Sequence, residues 1–410
     1  MTETGSREDV HATKTLYYVA CGVDLAESSG GPIIHVVEAI DELQKLGYPV
    51  VLIGLYSEAP TYLKCKWMGE KVSTAPLLRH LLNTRTIVRL MRQTDMRPGK
   101  SLLYVRWGSG GSGVCRLSRS MGVPYWIEMN GIYNLVQSES GKGLAARFKA
   151  KVASSLERMA IKGAEGMFTT TAHMADYYAD AYAYDRDRIV PNACGVNPET
   201  HKPSASPRIE RRSDDPIVGF AGGLYAQSGF DILVAAAPEV VARFPAIRFK
   251  IIGTSDRAAY YRELVIQKGC REHFDFVGRV PYFEVSKQLA EVDVGLAPYI
   301  STPNLDRIGG GSPQKVYSYL ACGKMTIISD LPYYLHFRDC QACFFAKPGD
   351  PQDLARAINE VLSVSPDRAR ELSEEARQYV VRHFTWRHNA QRIAASLPWS
   401  PEAIPAPREG

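Results

Sequence analysis

The strongest chemical signal in the chain is the run Gly309-Gly310-Gly311-Ser312-Pro313-Gln314-Lys315. Three consecutive glycines let backbone approach a ligand without side-chain obstruction. Ser312 suits a helix cap, and Pro313 suits the first helical position, where no amide hydrogen is needed. A helix starting here would present free amides and the positive end of its dipole to the phosphates of a nucleotide, with Lys315 as a point charge. The same residues read equally as a capped helix behind a flexible loop. A second constellation is Arg106, Glu128 and Asn130, each at the end of an expected strand. Glu128 has the chemistry of a general base or a sugar-hydroxyl anchor, and Arg106 that of its partner or of a phosphate ligand. A structural ion pair is the alternative. Third, Gly30 and Gly31 open an early helix where phosphate or sugar could rest against backbone. Their pattern differs from the G-x-G-x-x-G of dinucleotide sites, which argues against hydride transfer.

These residues need elements to hold them, and the chain supplies a repeated strand-helix alternation. Leu16 to Ala20 is a buried strand, Ile33 to Leu46 a helix stopped by Gly47, and Val50 to Ile53 a second strand. Leu102 to Val105, Tyr125 to Met129 and Met167 to Thr171 continue the strands. Pro198 to Pro216, rich in proline and charge and poor in apolar groups, marks a boundary. The alternation then restarts. Strands are expected at Ile217 to Ala221, Ile247 to Ile252, Phe274 to Val277, Val292 to Ala297 and Thr326 to Ile328, and helices at Asp350 to Leu362 and Pro366 to His383. Gly222 and Gly223 begin the first turn of this half. The expected fold class is α/β with two Rossmann-like domains, each a parallel sheet with ligands at the carboxyl ends of its strands. The expected boundaries are 1–197, a linker at 198–216, a second domain at 217–385, and a last helix and flexible tail at 386–410.

Composition limits the function classes. The 410 residues, 45% hydrophobic and 23% charged, suffice for two large cores at about 150 residues per domain. A net charge of +5 is mild for this length and gives no case for nucleic acid as a partner. No apolar run approaches the roughly 18 residues of a membrane span, and the polar first 14 residues do not read as a secretory signal, so the cytoplasm is the expected location. Two basic stretches leave peripheral contact with the inner membrane face open. One carries Arg79, His80, Arg85, Arg89 and Arg92 among apolar residues that include Leu77 and Leu78; the other carries Arg147, Lys149, Lys151, Arg158 and Lys162. Each reads as an amphipathic helix for anionic lipid or an acidic acceptor, or as a solvated face over a core stripe. Of eight cysteines only Cys340 and Cys343 form a C-x-x-C pair, and no second half of a zinc site accompanies it. Reduced thiols packed near a strand are the expectation.

The Gly309 stretch resembles the donor-site segment of the family 4 retaining glycosyltransferases of GT-B fold, whose subgroup pattern is Ser-Pro-x-Lys-x-x-Glu-Tyr-x-Ala-x-Gly-Lys-Pro. Ser312, Pro313, Lys315, Tyr319, Ala321, Gly323 and Lys324 match it. Ser318 stands at the family's ribose-holding glutamate, Met325 at its last proline, and Gly310 at its other glutamate. The opening Gly-Gly loop with His35, the Tyr104 to Arg106 strand end, Pro124 to Gly131, the Val-Pro-Asn passage before Gly195, and Phe384-Thr-Trp-Arg before a last helix also resemble the family, over about nine-tenths of the chain. The family's diphosphate-neutralising arginine and lysine fall on Gly223 and Ser228, so the donor site is atypical.

The resemblance implies two Rossmann-like domains facing a central cleft. The implied activity is metal-independent, retaining transfer of a sugar from a nucleotide-diphosphate sugar to a hydroxyl or amine acceptor, small or lipid-linked, with no cofactor. Implied donor-binding residues are Gly30, Gly31, Gly222, Gly223, Gly278, Arg279, Val280, Gly310, Gly311, Ser312, Lys315 and Ser318. Arg106, Asn130 and Tyr133 are implied for the acceptor. Asn130, which stands at a sugar-contacting histidine, joins Glu128 and Lys315 as the catalytic candidates. Arg279 and Arg307 could offset the lost charges, and Gln314 is an alternative to Ser318 for the ribose. Two rivals follow from the altered site: a pseudo-glycosyltransferase that couples a nucleotide-activated cyclitol, and a non-catalytic GT-B partner subunit.

Overall fold

Two all-parallel sheets carry the chain, each built by the strand-helix alternation that the hydrophobic pattern announces. The computed structural model describes residues 14–26, 30–73, 79–132, 144–204 and 214–399, without the side chains of 144–150 and of Asn304. Tyr133 lies outside the described residues, as do Leu77 and Leu78 and the first 13 residues.

Among the described residues, 14–26, 35–192 and 390–399 form one compact unit, and 30–34 with 193–389 form the other. The first unit has strands β1 Thr15–Asp24, β2 Val50–Tyr56, β3 Lys66–Lys71, β4 Ser101–Arg106, β5 Tyr125–Met129, β6 Gly166–Thr169 and β7 Ile189–Pro191, in the order β3-β2-β1-β4-β5-β6-β7. Its helices are α1 Gly31–Lys45, α2 Arg79–Arg92, α3 Gly111–Ser120, α4 Leu144–Lys162 and α5 Ala172–Tyr182. Central β4 is buried at every position, as expected for a strand covered by helices on both faces. The edges β3 and β7 have no apolar run to announce them: β3 is half-exposed or exposed throughout, and β7 is three residues ending in proline.

The second unit has β8 Ile217–Ala221, β9 Arg248–Ile252, β10 Phe274–Gly278, β11 Val294–Ala297, β12 Met325–Ser329 and β13 Cys343–Ala346, in the order β10-β9-β8-β11-β12-β13. Around them lie α6 Phe230–Arg243, α7 Ala258–Gln267, α8 Tyr282–Ala290, α9 Pro303–Arg307, α10 Gln314–Ala321, α11 Pro351–Leu362 and α12 Pro366–His383, and α13 Trp386–Ser396 follows. The core packs Phe220, Phe230, Phe249 and Ile251 against Val316 and Leu320 of α10. The starts of α11 and α12 follow from side chains. Asp350 accepts from the amides of Gln352 and Asp353, and Ser365 accepts from that of Arg368, each before a proline at the first helical position.

In both sheets the strand order reverses once, between β1 and β4 and between β8 and β11. Loops at the carboxyl ends of those strand pairs diverge to opposite faces and leave a crevice where ligands of doubly wound sheets bind. The Gly30–Gly31 loop and Arg106 follow the first pair, and Gly222–Gly223 and the Gly309 loop follow the second.

Candidate functional site

In the second unit the site is built on the turn after β8 and the first turn of α10. Gly309, Gly310 and Gly311 all have positive φ, at 64°, 77° and 67°. A Cβ on Gly310 would fall 1.9 Å from the Tyr333 ring, so only glycine fits between them. The Tyr334 hydroxyl donates to the Gly310 carbonyl at 2.8 Å and fixes the loop. The expected Ser312 cap is corrected: α10 starts at Gln314 after Pro313 with no side-chain cap, and the Ser312 hydroxyl instead accepts from the amide of Cys194 at 2.9 Å. No side chain caps α10, but the amides of Gln314 and Val316 donate to the carbonyls of Ser312 and Pro313, both at 2.9 Å. What this helix start offers an anion is therefore its dipole and Lys315 rather than a set of free amides.

Lys315 is the centre of this site. The residue is half-buried, but its Nζ is fully buried and hydrogen-bonds to nothing among the described residues. It sits 4.1 Å from the Phe220 ring centroid and 5.1 Å from that of Tyr299. A Cβ on Gly222 would stand 3.6 Å from it. Burial lowers its pKa from 10.5 to about 7. Two aromatic faces favour an ammonium, yet they accept no hydrogen bond, so Nζ holds three donors with no acceptor. Tyr319 fixes the helix that carries it, accepting from the amide of Ala221 at 2.6 Å and donating to the carbonyl of Leu296 at 3.1 Å. Gly295 is required beneath that ring, since a Cβ there would lie 2.4 Å from it.

The neighbouring strand ends converge on the same edge. The Gly222 amide donates to the Ile252 carbonyl, and Gly253 bridges to Gly278. The Gly222 and Gly278 turns thus share one rim, with Arg279 exposed and Val280 half-buried beyond it. Ser318 lies one turn further along α10, and Ser228 is buried just before α6. Residues 30–34 group with this unit, where a Cβ on Gly31 would fall 2.9 Å from Gln314 Oε1. Gly30 has φ 111°, which an L side chain rarely adopts.

In the first unit Glu128 is the hub of a buried polar cluster. Arg106 and Glu128 are register partners on β4 and β5, and their side chains form an ion pair. Asn130 Nδ2 donates to the same Oε1, and Tyr18 on β1 donates to Oε2 at 3.0 Å. His35 Nε2 lies 3.4 Å from Oε1. Burial alone would raise the Glu128 pKa, but His35, Arg106, Asn130 and Tyr104 outweigh it and bring it to about 2. Burial also keeps His35 neutral down to about pH 4, so Arg106 is the charge that balances Glu128 at neutral pH. A carboxylate so surrounded by donors has little basicity and no spare lone pair aimed at a substrate proton. Its geometry suits an anchor that orients Arg106, His35 and Asn130 better than it suits a general base.

Two family models match the chain. "Glycosyl transferase 4-like domain" matches residues 30–195, and "Glycosyl transferases group 1" matches residues 215–364. Together they take in most of the described chain. This chain belongs to the family 4 glycosyltransferases. Among curated family proteins, the D-inositol 3-phosphate glycosyltransferase of Stackebrandtia nassauensis is 26% identical over 58% of this chain and 54% of its own length. That of Nocardia farcinica is 25% identical over the same shares, so the chain spans about half the length of the curated relatives it matches. Solved structures extend the likeness in fold to nearly the whole chain. Sucrose-phosphate synthase from Thermosynechococcus elongatus superposes with a TM-score of 0.71 at 18% identity, covering 93% of this chain and 98% of that one. Anabaena HepE in complex with UDP and glucose superposes at 0.68 and 14% identity, covering 93% and 99%. The fold of this family 4 chain is GT-B, with two Rossmann-like α/β units.

Sequence reasoning missed the aromatic partners. Phe220 and Tyr299 flank Lys315 from a strand and a loop far from it in sequence, and Tyr18 and Tyr104 enter the Glu128 cluster from neighbouring strands. The available signal was parity: Tyr18 registers with Tyr104, two residues before Arg106, which registers with Glu128. Residues two apart on a strand share a face.

Proposed function

We propose that this chain is a retaining glycosyltransferase, independent of a bound metal ion, that moves a sugar from a nucleotide-diphosphate sugar to a hydroxyl or amine acceptor. The observation that carries it is the buried, acceptorless ammonium of Lys315 beside the uncapped start of α10 and the Gly222 turn. A diphosphate supplies what that site lacks, oxygens for the three Nζ donors, at the positive end of the helix dipole. Gly309 to Ser312 would give backbone access, and Ser318 or Gln314 would take the ribose. The complexes of Anabaena HepE with UDP and glucose support a nucleotide diphosphate as the donor's carrier.

In this reading the bond between the anomeric carbon and the diphosphate oxygen breaks while a bond to the acceptor oxygen or nitrogen forms. The acceptor proton passes to the departing phosphate. Lys315 and the positive end of the α10 dipole oppose the charge that grows on that phosphate, which is where preorganised electrostatics contribute most. Asn130, held by Glu128, would face the sugar, and Arg106 and Tyr133 would serve the acceptor. The acceptor is small or lipid-linked, and peripheral contact with a membrane belongs to the same proposal.

Calorimetry with a panel of nucleoside diphosphates and nucleotide sugars, with and without magnesium, tests it. One nucleotide sugar should bind selectively with equal affinity in both conditions, and Lys315→Ala should weaken it about tenfold to a hundredfold, the loss of a charge-assisted hydrogen bond of ~1.5–3 kcal/mol. Folded protein that binds no member at millimolar concentration would instead mark a non-catalytic subunit.

A further inference from the structure

Away from the Lys315 site, the first unit carries a groove of about 440 Å³ between α3 and α4. Its lining is divided by chemistry. Arg116, Arg119, Ser112 and Ser120 come from α3, while Leu156 and Met159 come from α4 with Tyr125 beside them. Both arginines are exposed, and neither forms an ion pair among the described residues.

The apolar side continues out of the groove. Val152, Leu156 and Met159 follow one another at helical spacing on α4 and are 42%, 40% and 54% exposed. Packing onto the sheet accounts for other positions of this helix, such as buried Ala160 and Ile161, but not for these three. Exposed apolar side chains in a row beside unpaired arginines suit an occupant with both an acyl region and an anionic group.

The charge on the exposed faces of the two helices is one-signed, and the nearest carboxylate beyond them that Tyr125 senses is Glu165, in the turn after α4 and 3.9 Å from Arg188. α3 contains no acidic residue, and α4 contains only Glu157, which is buried and accepts from the Tyr182 hydroxyl at 3.0 Å. Lys151 and Lys162 are exposed on the same helix. Helix α2 is also basic, but its Arg89 is paired with Glu70, and Leu81 is its one large exposed apolar side chain among the described residues. Basic composition therefore does not separate the two surfaces, whereas the groove and the apolar row do.

We propose that the α3–α4 groove is the surface by which this protein docks on an anionic membrane, with lipid phosphate between Arg116 and Arg119 and with Val152, Leu156 and Met159 entering the headgroup boundary. This deepens the peripheral-contact part of the proposed function and does not depend on donor use.

The test is co-sedimentation of the full chain, without nucleotide, on vesicles of phosphatidylcholine alone and of phosphatidylcholine with phosphatidylglycerol. Binding should require the anionic lipid and weaken with salt. Arg116→Ala with Arg119→Ala should lower it about 25-fold, at about fivefold per arginine. Leu156→Ser with Met159→Ser should lower it at least tenfold, and Arg85→Ala with Arg92→Ala on α2 should leave it within about twofold. All these residues are exposed, so circular dichroism should show each variant folded. Equal binding to neutral vesicles, no binding to either, or full binding by both groove variants would overturn the proposal. So would loss in the α2 variant alone. Donor affinity measured in parallel should be unchanged in the groove variants, so a failed membrane result and a failed donor result are separately visible.

Discussion

At the scale of single residues, two buried charges behave in opposite ways. Among the described residues Lys315 has no counter-ion, and it gives up its proton near pH 7, well below the ordinary 10.5, because burial penalises the ammonium. An unfolded chain would still hold that proton up to pH 10.5, so the stability of the free second unit should rise with pH between 7 and 10.5 and stay level below 7. A bound diphosphate reverses the preference by supplying oxygens to Nζ. Binding of a nucleotide sugar, whose diphosphate is fully ionised at pH 8, should therefore take up nearly one proton at pH 8 and almost none at pH 6. Calorimetry in two buffers of different ionisation heat reads this directly, and identical heats at pH 8 would exclude Lys315 as the group that meets the phosphate.

Glu128 is the contrary case, since its pKa falls from 4.5 to about 2 amid its donors. Its contribution to stability is complete above pH 4.5 and is lost as the pH falls towards 2. Glu128→Gln should cost about 3–5 kcal/mol at neutral pH, because it leaves the Arg106 guanidinium buried without its carboxylate. Chemical denaturation measures this. A loss below ~1 kcal/mol would show that the cluster is open to water and that Glu128 is available for other work.

At the scale of elements, the Lys315 site depends on close backbone contacts that only glycine allows. Gly229, which begins α6, has φ 72°, and a Cβ there would fall 1.6 Å from the Pro298 carbonyl oxygen. Gly229→Ala should cost about 3 kcal/mol or more, from the strained dihedral and from displacement of the loop after β11. Tyr319→Phe is a milder probe of the same region. It leaves the buried Ala221 amide without its acceptor, so about 1–3 kcal/mol and some donor affinity should be lost. Tyr319→Phe as stable as the original would mean that the amide finds another partner.

Element type was legible where hydrophobic runs were bounded by turn residues. β5 and β8 fall on the spans the sequence suggested, and α11 and α12 follow their Asp-Pro and Ser-Pro signals. β3, β7 and β13 were not legible. These three are edge strands, short or partly solvated, so pairing rather than a local apolar pattern makes them strands. The fourth edge, β10, was legible because Phe274, Phe276 and Val277 supply apolar residues before the Gly278 turn. Ser312 shows the same limit, because its hydroxyl could serve α10 or the Cys194 amide and only tertiary contact chose.

At the scale of the whole molecule, two sheets with separate cores should unfold with separable responses. Glu128→Gln should speed amide exchange in β1, β4 and β5, and Gly229→Ala in β8 and β11, as followed by hydrogen-exchange mass spectrometry. A uniform response to either change would show that the two cores open together.

Sequence by itself determined the repeated strand-helix alternation, the two sheets and the family, because hydrophobic period, helix caps and glycine-rich turns are local properties. It also singled out Lys315, Arg106, Glu128 and Asn130 as the residues with chemistry to offer. Only the tertiary structure decided what each of them meets. Lys315 faces Phe220 and Tyr299 with no acceptor among the described residues, while Glu128 is surrounded by groups from two neighbouring strands, a helix and the residue that follows its own strand. The physical reason is that burial and partner choice come from segments distant in sequence, and these fix whether a charged side chain is left waiting for a ligand or spent on the fold.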